Sequence, residues 1–222
     1  MRGKFITFEG GEGSGKSTHA ATLAHRLKSY GIGVELTREP GGSPGAEIIR
    51  HVLLSGAAQA FGPDAEAILF AAARADHVKT RIEPALAAGR WVICDRFTDS
   101  TRVYQGALGR VDGRLINGLQ RLTIGNLMPD LTFVLDVPAA TGLERAAARR
   151  GKAVADRFES ETAEFHERLR AAFRALATSD LDRCVLIDGS GSREEVSARI
   201  WSIVNSRLHP VTAPISFEDA AS

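Results

Sequence analysis

Near the start of the chain, glycines are combined with a lysine and three hydroxyl side chains in the segment FEGGEGSGKST. The segment contains the pattern Gly-x-x-x-x-Gly-Lys-Ser, which runs from Gly10 to Ser17. Glycines allow successive backbone N–H groups to point inward and form a nest for an anion, and a following helix would add its positive end. Lys16 would bring a cation to the terminal phosphates, and the Ser17 hydroxyl could bind Mg²⁺. We therefore expect a nucleoside triphosphate site formed by Gly10, Gly11, Glu12, Gly13, Ser14, Gly15, Lys16, Ser17 and Thr18.

The elements on either side of this loop are those that a phosphate-binding loop needs. An apolar run over Lys4–Phe8 precedes the loop, and apolar residues at helical spacing follow it until Gly31. The alternative is a glycine-rich turn that carries a surface lysine. The strand before the loop and the helix after it argue against that alternative.

Short apolar runs alternate with helical patterns along the whole chain. Most of the runs are continuously apolar, as is typical of parallel strands that are covered on both faces. Strands that alternate with helices predict a doubly wound α/β sheet. The predicted strands are Lys4–Phe8, Val34–Thr37, Trp91–Asp95, Leu131–Val137 and Cys184–Asp188.

The composition limits the partners and the compartment of this 222-residue chain. Its formal net charge is +1, so bulk charge provides no argument for nucleic acid or an anionic membrane as a partner. No apolar run approaches the length of a membrane span. Cys94 and Cys184 lie far apart in apolar runs, and we expect buried thiols in a reducing compartment. These features predict a cytoplasmic protein with one domain over residues 1–210 and a flexible tail over residues 211–222.

The glycine loop by itself does not identify the reaction. A GTPase would normally carry an Asn-Lys-x-Asp motif, and the sequence contains none. Motors, transporters and helicases are usually longer, so a small kinase is the leading class. Two alternatives stay open from the residues alone: a small kinase with another nucleotide or nucleoside as acceptor, and a switch or binding module that holds the nucleotide without transferring phosphate.

Five further motifs occur in a fixed order and narrow the choice. Together with the glycine loop they resemble the thymidylate kinase family, within the nucleoside monophosphate kinases, over about Lys4–Leu208. The resemblance implies an α/β P-loop kinase fold, with a five-stranded parallel sheet flanked by helices on both faces, a mobile LID and a homodimer. It also implies Mg²⁺-assisted transfer of the γ-phosphoryl group of ATP to dTMP in dTTP biosynthesis, giving ADP and dTDP. The motifs are Thr37-Arg-Glu-Pro-Gly-Gly42, Phe70-Ala-Ala-Ala-Arg74, Asp95-Arg96-Phe97, Ser100-Thr101 with Tyr104-Gln105-Gly106, and Pro129-Asp-Leu-Thr132.

Two arginines and an aspartate lie at the ends of predicted strands, at the edge of the sheet where ligands bind. The planar fork of arginine suits a monophosphate, and by resemblance Arg38 and Arg96 would hold the phosphate of dTMP. The alternative is a pair of surface ion pairs. Asp95 is expected to organise Mg²⁺ together with Ser17. Asp136 is a rival for that role, but we expect it to act as a cap or turn residue.

The base and the sugar of the acceptor have their own candidate residues. Phe70 and Arg74 lie four residues apart, so they share one helix face. By resemblance, the ring would stack on thymine and the guanidinium would bind a base carbonyl, whereas spacing alone favours a core phenylalanine and a surface arginine. Thr101 is expected to form a hydrogen bond with the base, and Gln105 to contribute to acceptor binding. Tyr104 is expected to exclude a ribose hydroxyl, and Glu12 to contact the 3′-hydroxyl of the sugar.

A segment rich in arginine, at about residues 145–159, lies where the family carries its LID. The family places its transition-state cation either in the P-loop or in the LID, and the variable positions of this P-loop carry no cation. The LID is therefore expected to supply it, from Arg149, Arg150 or Arg157, with Arg149 and Arg157 as the first candidates. The predicted catalytic residues are therefore Lys16, Arg96, Arg149 and Arg157. We expect Lys16 to be exposed in its loop.

Overall fold

A parallel sheet lies at the centre of the protein. The structure is a computed structural model that describes residues 2–151 and 155–210. Its five strands have the order β2-β3-β1-β4-β5 and every pair is parallel, which confirms the predicted α/β sheet. The strands are β1 (Phe5–Gly10), β2 (Val34–Arg38), β3 (Trp91–Asp95), β4 (Leu131–Asp136) and β5 (Cys184–Asp188).

The predicted strand limits agree with the observed ones to within two residues. The largest difference is at β1, which continues through Gly10 because Gly10 still pairs with Leu135 of β4. On its other side β1 pairs with β3, where Phe8 lies beside Asp95. The central strand therefore delivers the glycine loop to the edge of the sheet where β3 also ends.

Helices cover both faces of the sheet. Ile6 and Phe8 of β1 face the side covered by α1 and α9, whereas Phe5 faces the side that packs against α4 and the segment before it. This burial on both faces explains why the strands are continuously apolar. The helices are α1 (Lys16–Ser29), α2 (Pro44–Leu54), α3 (Gly62–His77), α4 (Glu83–Ala87), α5 (Thr98–Thr101), α6 (Gly113–Ile124), α7 (Ala139–Arg150), α8 (Ala163–Ser179) and α9 (Arg193–Leu208). A π-helical segment, Arg102–Leu108, follows α5.

Glycines in the loop between β1 and α1 are required by close backbone contacts. A Cβ atom at Gly13 would lie 1.8 Å from the carbonyl oxygen of Gly142 in α7, and one at Gly10 would lie 2.5 Å from the carbonyl oxygen of Leu135. Both glycines also have positive φ angles, of 64° and 132°. The loop therefore packs its backbone directly against α7 and β4.

Three further predictions concern the cysteines, a membrane span and the C-terminal tail. Cys94 and Cys184 are free and buried, as predicted, and burial raises the pKa of both thiols. Within the described residues, no helix combines the length and the apolar character that crossing a bilayer requires. The predicted flexible tail, residues 211–222, and residues 152–154 of the LID segment lie outside the described part of the chain.

Candidate active site

A cavity of about 360 Å³ opens at the carboxyl edge of the sheet. Its walls come from the glycine loop, the end of β2, helix α3, the segment after β3 and the region after α7. Most of the residues predicted from the sequence line this one cavity, although they come from distant parts of the chain. They are Glu12, Gly13, Gly15, Lys16, Ser17, Thr18, Arg38, Phe70, Arg74, Asp95, Arg96, Thr101, Tyr104, Gln105 and Arg149.

Lys16 is the first residue of α1, and it is buried rather than exposed in the loop as the sequence suggested. Only 6% of the residue is accessible, and its Nζ donates a hydrogen bond to the carbonyl oxygen of Gly11 at 2.6 Å. Burial lowers its pKa to about 8, the charge of Arg96 acts in the same direction, and the carboxylates of Glu12 and Asp95 oppose the shift. The lysine is therefore a buried cation directed at the loop.

Ser17 and Asp95, the two predicted metal ligands, meet at the edge of the cavity. The Ser17 hydroxyl donates to Oδ2 of Asp95. The other carboxylate oxygen, Oδ1, is buried and has no hydrogen-bond partner among the described residues. A buried carboxylate oxygen beside a serine hydroxyl is a donor set that suits Mg²⁺. Asp136 was expected to be a cap or turn residue, but its carboxylate instead pairs with Arg170 and Arg174.

Glu12, Arg96 and Tyr104 form a charged cluster on the floor of the cavity. Oε1 of Glu12 accepts hydrogen bonds from Nη2 of Arg96 at 2.5 Å and from the Tyr104 hydroxyl at 3.0 Å. Burial by itself would raise the pKa of Glu12, but the charges of Arg96 and Lys16 lower it to about 2. The Arg96 guanidinium also lies 5.2 Å from the centre of the Tyr104 ring. Glu12 is therefore an ionised carboxylate held between two cations.

Arg74 is buried and each of its guanidinium nitrogens is engaged. Its Nε donates to Oε2 of Glu39 at 2.7 Å, its Nη1 to the Thr101 hydroxyl at 3.1 Å and its Nη2 to the carbonyl oxygen of Phe97 at 3.1 Å. The other oxygen of Glu39 bonds to Nδ1 of His77 at 3.0 Å. Helical spacing alone would favour a surface arginine at this position, whereas Arg74 is buried. The hydrogen-bond network fixes its guanidinium against the cavity wall.

The wall near β2 is more open. Arg38 ends β2, is about half exposed and pairs with Glu47 at 2.9 Å. Arg50 of α2 was not identified from the sequence; it donates to the carbonyl oxygen of Pro40 at 2.6 Å and lines the same cavity. The guanidinium of Arg38 is therefore free to exchange a surface partner for a ligand at little cost.

The arginines of the LID segment have different environments. Arg149 is 62% exposed in its side chain, lines the main cavity and pairs with Glu159 at 3.2 Å. Arg150 binds the same carboxylate at 2.7 Å. Arg157 instead pairs with the buried Glu66 at 3.3 Å and lines a second cavity rather than the main one. Of Arg149, Arg150 and Arg157, Arg149 alone lines the main cavity.

Comparison with known proteins identifies the family of this chain. The family model for thymidylate kinase matches residues 8–200. A thymidylate kinase from Bradyrhizobium diazoefficiens is 58% identical over 96% of this chain and 94% of its own length. Another from Afipia carboxidovorans is 61% identical over 93% of this chain and 91% of its own length. The chain belongs to the thymidylate kinase family. A solved structure of thymidylate kinase from Ehrlichia chaffeensis has 34% sequence identity and a TM-score of 0.73, covering 92% of this chain and 99% of that chain. The expected P-loop kinase fold is thereby confirmed.

Family membership does not by itself show which side chains do the chemistry, and the residue assignments stay predictions. Gly10, Gly11 and Ser14 of the predicted ATP site do not line the cavity, and neither does Arg157. Sequence reasoning missed several residues that line the cavity. They are Glu39, Pro40, Arg50, Leu54, Phe97, Ser100, Asp156, Phe158 and Glu159.

The missed residues carried weak sequence signals. Glu39 lies inside the Thr37–Gly42 motif, but nothing in the sequence shows that its carboxylate turns inward to Arg74. Phe158 lies near the end of the arginine-rich segment, and the centre of its ring is 5.3 Å from that of Tyr104 and 6.1 Å from that of Phe70. These contacts join segments far apart in the chain, so periodicity and spacing could not reveal them.

Glu9 of β1 is a second buried acidic residue, and because of it we expect the free energy of unfolding to depend on pH. Burial, together with the charge of Asp99, raises the pKa of Glu9 to about 8, whereas an unfolded glutamate titrates near about 4.3. As pH rises from about 5 to 8, the unfolded carboxyl releases its proton before the folded one, so the wild type loses stability relative to Glu9→Gln, whose side chain does not titrate. Thermal unfolding of both proteins at several pH values measures this. A difference in Tm that stays constant from pH 5 to 8 would contradict the prediction.

Proposed function

We propose that this member of the family transfers the γ-phosphoryl group of ATP to a phosphate oxygen of dTMP, giving ADP and dTDP. The observation that carries the proposal is the single cavity in which the glycine loop faces Arg38, Arg74 and Arg96. One wall suits a triphosphate and the other suits a nucleoside monophosphate. A binding module for one nucleotide would have no use for the second set of cations.

The donor side uses the loop and the start of α1. Backbone N–H groups of residues 10–18 and the helix end would hold the β- and γ-phosphates of ATP, and Lys16 would neutralise charge that develops during transfer. Ser17 and Asp95 would hold Mg²⁺, which would offset the negative charge of the phosphates. The orphaned oxygen of Asp95 supports this assignment.

The acceptor side uses three groups of residues. Arg38 and Arg96 would bind the dTMP phosphate, and Glu12 would accept a hydrogen bond from the 3′-hydroxyl. Phe70 would stack on thymine, while Arg74, Thr101 and Gln105 would read the edge of the base. Tyr104, held by Glu12, would lie beside C2′ and disfavour a ribose hydroxyl.

The chemical step needs position and charge more than a base. The acceptor phosphate is already anionic near neutral pH, so its oxygen can attack the γ-phosphorus directly, while the bond from that phosphorus to the β,γ-bridging oxygen breaks and ADP leaves. Lys16, Arg96 and Arg149 would hold the two anions together. The LID segment would exclude water when it closes over them.

A panel of acceptors in a coupled assay of ADP release tests the proposal. dTMP should give the highest kcat/KM, and dUMP should be a poorer substrate rather than an inactive one, because one methyl group is worth about 1–3 kcal/mol. A purine monophosphate as the preferred acceptor would contradict the base-site assignment. ATP turnover that no acceptor changes would favour a switch or binding module instead.

Arg74→Ala is expected to act on acceptor binding. The substitution removes three hydrogen bonds that fix the base-side wall, so the KM for dTMP should rise by about tenfold or more, while the KM for ATP should stay within about twofold. Steady-state kinetics with each substrate varied in turn measure both values. Arg81→Ala is a matched control, because Arg81 pairs with Glu35 at the surface. A rise in the KM for ATP with dTMP binding unchanged would show that the assignment is wrong.

We also propose a cytoplasmic homodimer. Apolar side chains are exposed on neighbouring helices: Ile48 and Val52 on α2, Ile68 on α3 and Leu122 on α6. Helix α3 packs against both α2 and α6, so these side chains belong to adjoining helices. Sedimentation velocity should show a dimer, and Ile48→Glu should shift the protein toward the monomer. A monomer in the wild type would contradict this.

A further inference from the structure

Arg96, which binds the acceptor phosphate in the proposed function, has a backbone conformation that few arginines adopt. Its φ angle is 70°, in the left-handed region where Cβ crowds the backbone. Among the described residues, only Arg110 and His209 share this feature outside glycine. Such a conformation persists where the surrounding structure determines it. The contacts around Arg96 therefore have to hold it in place.

Glu9 accepts hydrogen bonds from two residues that follow Arg96 in the chain. Its side chain is fully buried on β1. Oε1 accepts a hydrogen bond from the backbone N–H of Phe97 at 2.7 Å, and Oε2 accepts one from the hydroxyl of Ser100 at 2.6 Å. The carboxylate thus ties the residue that follows Arg96 to helix α5, and both of its oxygens are used.

Ser100 also connects Glu9 with the guanidinium of Arg96. Nη1 of Arg96 donates to the Ser100 hydroxyl oxygen at 3.1 Å, while Nη2 donates to Glu12. Glu9 therefore acts on Arg96 twice, through the backbone and through the side chain. Glu9 is not part of the cavity wall, so it acts on a substrate only through other residues.

We propose that Glu9 is a positioning residue for the acceptor phosphate: through Phe97 and Ser100 it holds the Arg96 guanidinium in the orientation that binds dTMP. The inference rests on the proposed function, because that function assigns the dTMP phosphate to Arg96. Above its pKa of about 8, Glu9 is an ionised carboxylate with two acceptor oxygens, whereas a carboxamide offers one. Glutamine at this position keeps the volume and the Phe97 contact but presents a donor to Ser100.

Binding of dTMP and of thymidine to Glu9→Gln separates positioning from a general effect on the pocket, because thymidine lacks the phosphate. We expect dTMP binding to weaken about tenfold, while thymidine binding and the KM for ATP change less than about twofold. Calorimetry at pH 9, where Glu9 is ionised, measures the two affinities, and thermal unfolding at the same pH shows that the variant is folded. Equal losses for dTMP and thymidine, or no loss for dTMP, would overturn the proposal.

The Arg96→Ala background shows whether the effect passes through Arg96. There, Glu9→Gln should cause no further loss of dTMP affinity, because the guanidinium that it positions is absent. A further loss would overturn the proposal. If Glu9→Gln does not fold, Ser100→Ala removes the hydroxyl link, and the same dTMP-selective loss is expected, again only when Arg96 is present.

Failure of the proposed function gives a different result. If Arg96→Ala alone binds dTMP as tightly as the wild type, the phosphate is not held by Arg96, whatever Glu9 does. If Arg96→Ala loses dTMP affinity but Glu9→Gln does not, the function stands and the positioning role of Glu9 is wrong.

Discussion

Lys16→Ala is expected to lower kcat by about 10²–10³-fold, the effect of removing one preorganised group that stabilises transition-state charge. Lys16 is the only lysine on the wall of the described cavity, and its Nζ lies against the glycine loop. Because the loop backbone and Mg²⁺ ligands stay in place, the KM for ATP should change less than kcat. Steady-state kinetics with saturating dTMP measure the loss.

The same substitution should leave the fold intact. Burial lowers the pKa of Lys16 to about 8, below its unfolded value of about 10.4, so at neutral pH the buried charge opposes folding. Alanine removes that charge, and we expect Tm at pH 7 to be unchanged or higher. Lys28→Ala, an exposed lysine in the last turn of α1, is the matched control for kcat. Loss of kcat together with unfolding would show that Lys16 is structural instead.

Arg149→Ala is expected to lower kcat by about a thousandfold, as loss of an arginine that neutralises transition-state charge does. Arg149 is largely exposed and lines the cavity, and its partner Glu159 also pairs with Arg150, so Arg149 can exchange Glu159 for a phosphate oxygen. Affinity for dTMP and ATP should change little, because the contact forms mainly in the transition state. Single-turnover kinetics separate this step from binding and product release.

Arg157→Ala provides the comparison within the same segment. Its guanidinium pairs with Glu66, which is buried, and lies 4.6 Å from the centre of the Phe158 ring. Its removal leaves a buried carboxyl without that partner, so we expect a lower Tm and a small change in kcat. A larger loss of kcat in Arg157→Ala than in Arg149→Ala would reverse the assignment of the two arginines.

Much of the architecture could be predicted from local patterns. The five strands were located to within two residues, because parallel strands buried on both faces must be short, continuous apolar runs. The glycine loop was recognisable because positive φ angles and backbone contacts at Gly10 and Gly13 leave no room for a side chain. Spacing within such motifs is short-range information, which a single sequence contains.

The set of residues around the cavity was also largely predictable. Strand ends in a parallel sheet meet at one edge, so Arg38 and Asp95 had to lie near the loop that follows β1. The family resemblance then added Phe70 and Arg74, for which helical spacing alone favoured a core ring and a surface charge.

Only the tertiary structure decided how these side chains are held. Lys16 is buried, and Glu39 accepts a hydrogen bond from Arg74. Glu9 is linked to Arg96 through Ser100. These contacts join segments that are remote in sequence. The tertiary structure also decided that Arg149 lines the main cavity whereas Arg157 lines a second one. Hydrogen bonds and burial depend on which segments pack together, and composition, periodicity and spacing carry no record of such pairings. The amino-acid sequence by itself determined the sheet, the loop and the side chains available for chemistry; packing determined their partners, their charge states and their orientation.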